Sequence, residues 1–322
     1  MKNWVKCLLM IAVPGLGGCY DDYIQDYEYT TIYMPYQHDV RTFVVGEGMR
    51  IRVGAELGGV RENKEARNAN FKIAPELINR ENLLLMQASS FPYIKNSMLA
   101  VDTLRLMPAN FYSLSNDNTI EILPGNHTGT IEIKADSAAF LANTGTLKPA
   151  FAIPLELTSV DADRVLDDKK TAVIALKYEN MLFGNYLHGG VTTVKDPSGQ
   201  VVSTAVYRTS VSQNANEVWS LVTESPLSLS VARYSNVAST KPELLLTQEG
   251  NRIRVGSATG ATFQYEGDGE STFNGVRKLQ DRRIFLKYKF LDADGNTHFA
   301  TDTLTFRNRI RDGVNEWQGN GQ

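Results

Sequence analysis

The sequence predicts a mainly β protein, a β-sandwich followed by a second antiparallel domain that is either a barrel or a sandwich. Three observations predict it. From about Thr30 onward the apolar residues recur with a period of two. Turn-forming clusters of Gly, Asn, Asp and Pro interrupt that pattern at short intervals. The chain has 322 residues, too many for one ordinary domain and about right for two.

In the first domain, Arg50-Ile51-Arg52-Val53, Thr119-Ile120-Glu121-Ile122, Thr130-Ile131-Glu132-Ile133-Lys134 and Ile153-Pro154-Leu155-Glu156-Leu157 alternate. Each places apolar side chains on one face and polar ones on the other, as a half-buried strand requires. Ser115 to Asn118 and Pro124-Gly125-Asn126 read as turns. Pro154 removes a ladder donor and predicts an edge strand or a bulge. Aspartate caps predict short helices at Asp136–Asn143 and Asp161–Leu166. Gly58-Gly59 predicts a bulge or bend rather than a ligand loop. Ala172 to Leu176 is a continuous apolar strand, and the domain boundary falls near residue 180. Beyond it, Asp196-Pro197-Ser198-Gly199, Glu249-Gly250-Asn251 and Asp292 to Asn296 read as turns between strands at 227–231, 252–255, 284–290 and 299–306. That is a meander, which closes as a barrel or folds as a sandwich.

The first nineteen residues read as an address. Lys2 and Lys6 precede a short apolar run, Cys7 to Val13, that is too short to span a bilayer. Leu16-Gly17-Gly18-Cys19 then has the form of a bacterial lipobox, with Cys19 as the lipid attachment site. The expected organisation is a signal peptide over 1–18, an acidic tether over 19–30, a sandwich over 31–180 and the second β domain over 181–322. Loss of Lys2 and Lys6 with the leader takes the formal net charge from −3 to −5. The expected location is the outer membrane, lipid-anchored, with Asp21-Asp22 after the cysteine favouring display on the cell surface.

Several stretches then carry a resemblance. They are Thr31 to Pro35, Ile51 to Val60 with Glu62-Asn63-Lys64, Leu106 to Tyr112, Phe151 to Leu157 and Lys177 to Asn180. They resemble the adhesin-like, immunoglobulin-type N-terminal domain of unknown function found in Bacteroidetes surface lipoproteins. Gly184 to Gly190, Asn216 to Trp219 and Phe306 to Gly313 resemble the C-terminal β domain that accompanies it. The resemblance implies an immunoglobulin-like sandwich, a surface lipoprotein and an outer-membrane glycan importer of the starch-utilisation type as neighbour. It implies no ligand-binding residues.

Chemistry-bearing motifs are few. A near-balanced charge gives no basic surplus for nucleic acid. His38, His127, His188 and His298 are scattered without metal-ligand spacing, so no metal is expected. Asp292, Asp294 and Asn296 imitate the start of a calcium loop, but Thr297 and Thr303 stand where glycine and a bidentate glutamate belong. There is no Gly-x-Ser-x-Gly elbow, P-loop or complete dinucleotide fingerprint. No catalytic residue and no cofactor are expected. The candidate ligand-binding residues are Trp317 in the polar tail, either exposed or folded onto the barrel end, Tyr186 and His188 at the entry to the second domain, where a packed entry is the commoner outcome, and Trp219 in a strand-like stretch, where a place in the core is the commoner outcome. An aromatic face suits a pyranose, and amides or carboxylates suit its hydroxyls. The expected function is non-catalytic glycan binding at the cell surface. An adhesin that binds protein and a glycoside hydrolase are the alternatives.

Overall fold

The computed structural model describes residues 28–207, 217–311 and 314–315. Cys19, Trp317, the expected leader and most of the expected tether lie outside the described residues.

The chain is mainly β. The first domain comprises β1 (Thr31–Tyr33), β2 (His38–Val45), β3 (Arg50–Gly58), β4 (Arg67–Ile73), α1 (Arg80–Gln87), α2 (Pro92–Met98), β5 (Arg105–Leu106), β6 (Tyr112–Leu114), β7 (Thr119–Ile122), β8 (Thr128–Ala135), α3 (Ser137–Ala142), β9 (Phe151–Val160), β10 (Arg164–Val165) and β11 (Thr171–Asn180). Two sheets, ordered β10-β1-β3-β8-β6 and β2-β11-β9-β4-β7, form an immunoglobulin-like sandwich. Ile51, Val53, Ile120, Ile122, Ile131 and Ile133 all point into one apolar core, as their alternation predicts. Phe140 sits at its centre, edge-on to Phe43 at 5.2 Å and packed against Phe111 and Tyr178.

The second sheet is covered on both faces. Leu83, Met86, Ile94 and Met98 of the helical pair α1–α2 pack on Val40, Val173 and Ala175. This is why Ala172 to Leu176 is apolar without alternation: a strand with two covered faces has no solvent side. Asn79 caps α1 by accepting from the Asn82 N–H, and Pro92 opens α2 where its missing donor costs nothing.

Two expectations for this domain are corrected. The segment from Asp161 to Leu166 is not a helix but contains β10, and the Asp161 carboxylate instead accepts from Asn68 N–H and Nδ2. Pro154 lies within a central strand, not at an edge. Val173 opposite it donates to Gln37 on the β2 side, so Pro154 faces the gap between β5 and β4. There its carbonyl accepts from Ala74, and its missing N–H breaks no ladder bond. The α3 helix does form, with Asp136 Oδ1 accepting from the Ala139 N–H at 2.8 Å. Gly59 adopts φ +82°, and a Cβ there would meet the Tyr29 carbonyl at 2.2 Å, so this glycine serves a close backbone bend.

Three residues separate β11 from β12 (Gly184–Lys195), which opens the second domain. It continues with β13 (Val201–Tyr207), β14 (Glu217–Ser225), β15 (Ser228–Val231), β16 (Arg233–Tyr234), β17 (Val237–Ala238), β18 (Leu244–Glu249), β19 (Arg252–Ser257), β20 (Tyr265–Gly267), β21 (Thr272–Phe273), β22 (Arg283–Leu291) and β23 (Thr297–Asn308), then a short pair, β24 (Ile310–Arg311) and β25 (Val314–Asn315). Neighbours run β12-β14-β15-β18-β19-β21-β22, and β23 pairs with both β22 and β12. The sheet therefore closes on itself, and the second domain is an antiparallel barrel rather than a sandwich. β20 extends the stave of β21 along β22, and β13 continues the wall beyond β14 on the far half of β12.

A buried charge cluster joins the two domains. Glu47, in the β2–β3 turn, accepts from Arg282 Nη2 at 2.7 Å and from Arg309 Nη2 at 3.0 Å. Both guanidiniums are almost wholly buried. Burial pushes the Glu47 carboxyl up, but the Arg309 and Arg282 charges outweigh it and hold the group below its ordinary range.

Candidate functional site

The inward face of β12 reads Tyr186, His188, Gly190, Thr192, Val194 from the sandwich end to the free end. Opposite it on β23 lie Phe306, Leu304, Asp302, Ala300 and His298. The barrel interior is thus layered. At the sandwich end it is filled by Tyr186, Phe306, Leu304 and Leu286. In the middle it is polar.

Asp302, with no exposed surface, is the hub of the polar layer. Tyr207 Oη and Tyr288 Oη donate to its two oxygens, each at 2.8 Å. Thr192 Oγ1 lies 2.7 Å from Tyr207 Oη and donates to Ser235 Oγ at 2.9 Å. The Ser235 N–H donates to Tyr288 Oη at 2.6 Å. Burial, followed by the Asp302 charge, pushes both phenols above their ordinary range, so they remain protonated donors at neutral pH. Gly190 makes room for this hub, since a Cβ there would meet Asp302 Oδ1 at 2.5 Å and the Thr301 carbonyl at 2.4 Å.

Above that layer the barrel opens. A cavity of about 280 Å³ lies between the β12–β13 hairpin, the β22–β23 hairpin and the β16–β17 hairpin. Val194, Ala205 and Val237 give it apolar walls, together with the rings of Tyr234, Phe263 and Phe290. Those rings form one cluster: Phe290 is stacked between Phe263 at 5.1 Å and His298 at 4.6 Å, and Tyr234 stands nearly perpendicular to Phe290 at 5.3 Å. Glu243, wholly buried behind the cluster, accepts from Tyr265 Oη and from Thr262 N–H and Oγ1. The polar edge is made by Asp292, His298, Asn236 and the two floor residues Thr192 and Ser235.

Asp292 is already fully engaged. Oδ1 accepts from the Asp294 and Asn296 N–H groups, and Oδ2 from Asn296 Nδ2 and from His298 Nε2 at 2.9 Å. The His298 bond first, and then the turn donors, hold its carboxyl down at about 2. The segment that imitates a calcium loop is therefore a hairpin turn closed on its own backbone. Among the described residues no group of three or more His, Cys, Asp or Glu side chains is placed to hold a metal ion. With Nε2 of His298 given to Asp292, Nδ1 is the ring's remaining polar atom. Ser235, at the tip of the β16–β17 hairpin, holds φ +46°, a cost for a non-glycine residue that its bonds to Thr192 and Tyr288 offset.

The residues singled out in the sequence lie deeper. Tyr186 and Trp219 have no exposed surface and His188 is 3% exposed, so none presents a ring to solvent. All three are packed inside the barrel rather than presented to a ligand, with Tyr186 opposite Trp219 across the ladder between β12 and β14 and His188 opposite Glu217. The His188 ring is stacked between Trp219 at 4.3 Å and Tyr207 at 5.1 Å, with Nε2 3.1 Å from Asp302 Oδ1. They support the polar layer beneath the cavity. The cavity's own residues lie from Thr192 to His298, and only strand register brings them together. The one local hint is Asp292 to Asn296, read above as a turn.

Residues 23–164, under half of the chain, match a family model described as an N-terminal domain. No curated protein matches. A Bacteroides ovatus protein of unknown function is similar in structure over 88% of this chain and 95% of its own, at 21% identity and a TM-score of 0.62. At that identity the likeness establishes the fold. A B. ovatus multidomain protein including DUF1735 aligns over 90% of this chain and all of its own, at 10% identity and a TM-score of 0.42. A B. ovatus protein provisionally named as carbohydrate-binding aligns over 91% of this chain and 73% of its own, at 12% identity and a TM-score of 0.30. Those two scores are too low to carry an argument. The first match shows that this chain shares its β-rich fold with a Bacteroides ovatus protein of unknown function.

Proposed function

We propose that this protein is a non-catalytic glycan-binding lipoprotein of the outer cell surface and that the barrel mouth is its binding site. The observation that carries the reading is the amphipathic cavity, with apolar and aromatic walls on one side and the Asp292–His298 pair with Asn236 on the other. A sugar ring has the same division, an apolar face and a polar perimeter. Hydrolysis takes two carboxyl groups, one with a raised pKa. Among the residues lining this cavity Asp292 is the only carboxylate, and it is held low. The Cys19 lipobox supports anchorage in the outer membrane. Tethering beside an importer, the partner that the sequence resemblance implies, raises the effective concentration of a weak site.

Affinity electrophoresis of the Cys19→Ser chain through gels containing soluble polysaccharides tests the reading. Retardation by at least one polysaccharide, abolished by Ala205→Trp, is expected, because Ala205 lines the cavity and is solvent-exposed. Free migration in every gel, or shortening of the polysaccharide, would overturn it. In cells, the same Cys19→Ser change is expected to abolish incorporation of labelled lipid.

A second reading, a protein-binding adhesin, is favoured by β13. Among the described residues this strand pairs with β12 alone, and Val201, Val202 and Val206 are 59%, 60% and 71% exposed. An apolar strand edge is a surface on which another chain adds a strand. Val206→Lys would block that use and leave retardation by polysaccharide unchanged.

A further inference from the structure

We infer that the barrel mouth recognises the end of a glycan chain, holding one terminal sugar ring rather than an internal stretch of polymer. The inference rests on the glycan-binding reading and concerns which part of the glycan the site takes.

Size is the first ground. At about 280 Å³ the cavity falls just below the span of about 300–1,000 Å³ usual for small-molecule sites. That volume suits a single ring and not several rings in a row. The floor is the second ground. Thr192 and Ser235 are both buried, and their hydroxyls are bonded to each other and to the network beneath. Directly below lie Tyr288 and Asp302, without exposed surface. The barrel is filled from that layer down to the sandwich, so nothing threads through it.

The walls are the third ground. Three separate hairpins surround the cavity: Val194 and Ala205 on the first, Tyr234 and Val237 on the second, Asp292 and His298 on the third. A glycan-binding face for internal rings is an open platform along a sheet. Here the hairpins rise around a fixed floor and surround a ligand rather than support it lengthwise. Apolar side chains that suit a ring face share the lining with His298 and Asn236, whose polar groups suit hydroxyls. A terminal ring carries one hydroxyl more than an internal ring, at the position where an internal ring continues into the chain. A site that encloses the ring therefore favours the end by contact and excludes the interior sterically.

The test is calorimetric titration of the Cys19→Ser chain with methyl glycosides of glucose, mannose, galactose, xylose and N-acetylglucosamine, and with the matching di- to hexasaccharides. For the sugar that binds, affinity per mole of chain is expected to change less than about threefold from the disaccharide to the hexasaccharide. Capping the terminal ring with a different sugar is expected to weaken binding by about tenfold or more. A gain of about tenfold for each added ring, or full binding of the capped chain, would overturn the inference and leave glycan binding standing. Saccharide binding that survives Ala205→Trp would overturn it by placing the site elsewhere. No heat with any saccharide would overturn the glycan-binding reading as well.

Discussion

The interiors of the two domains are built on opposite plans. The centre of the sandwich is a cluster of apolar side chains, from Ile32 and Phe43 through Phe140 to Leu176, with rings packed on rings, and buried polar groups such as Thr146 and Asn63 bond backbone carbonyls rather than one another. The barrel is filled solidly by apolar side chains at the end that meets the sandwich. Its middle carries Asp302, His188, two phenols and two hydroxyls, and its far end is a cavity. A buried polar network stabilises a domain less than the same volume of hydrocarbon, but it fixes its members in one geometry. Here those members form the floor of the cavity. The difference teaches that the sandwich is built for packing and the barrel for a fixed interior geometry, which is why the proposed recognition site is placed at the barrel's free end.

Substitutions can break this contrast in a graded way. The largest effect is expected from Phe140→Ala. Losing a ring that meets three other aromatics costs about 3–5 kcal/mol of stability. Denaturant unfolding measures that loss, and saccharide affinity below the transition is expected to stay unchanged. Glu47→Ala comes next. It removes the carboxylate that two buried guanidiniums share, at a cost of about 3 kcal/mol, and it is expected to separate the unfolding of the two domains into two calorimetric transitions. Asp302→Ala removes the acceptor that the Tyr207 and Tyr288 hydroxyls share, costs about 2 kcal/mol and is expected also to weaken saccharide binding, because the floor loosens. That joint effect is the sharpest contrast with Phe140→Ala.

Smaller effects concern the rim. The Asp292 carboxyl sits at about 2, below the ordinary carboxylate value of about 3.9. Its support for the 292–298 turn is therefore complete above about pH 4 and lost as pH falls through about 2. NMR of the Asn296 amide is expected to follow that fall, and His298→Ala is expected to move the midpoint up toward the ordinary value, since the His298 bond is the main cause of the depression. Asn236→Ala is expected to leave stability within about 0.5 kcal/mol. It is expected to weaken saccharide binding about fivefold, the value of one hydrogen bond.

What the sequence shows of this molecule follows the same division. The alternating strands of the sandwich are legible because one face meets hydrocarbon and the other meets water, as in Arg50 to Val53 and Thr130 to Lys134. The turns at Asp196, Gly250 and Asp292 are legible because their chemistry is local. The helices α1 and α2 escape the pattern because Leu83, Leu84, Leu85 and Met86 run together, and two of the four are exposed. The inward face of β12 escapes it for a deeper reason. Histidine, glycine and threonine occupy its interior positions, so a buried face reads as a polar one. Tyr186, His188 and Trp219, which the sequence offers both as sugar contacts and as packing, are the packing beneath the cavity. The rim itself joins Val194, Tyr234, Phe263, Phe290 and His298 only through barrel closure.

Methyl-resolved NMR of the Cys19→Ser chain, titrated with the oligosaccharide that retards it, tests the central claim most directly. The account predicts shifts concentrated on Val194, Ala205 and Val237 at the barrel mouth, with the sandwich methyls of Ile120, Ile131 and Leu155 unmoved. Shifts centred on the sandwich, or confined to the exposed Val201, Val202 and Val206 of β13, would contradict it.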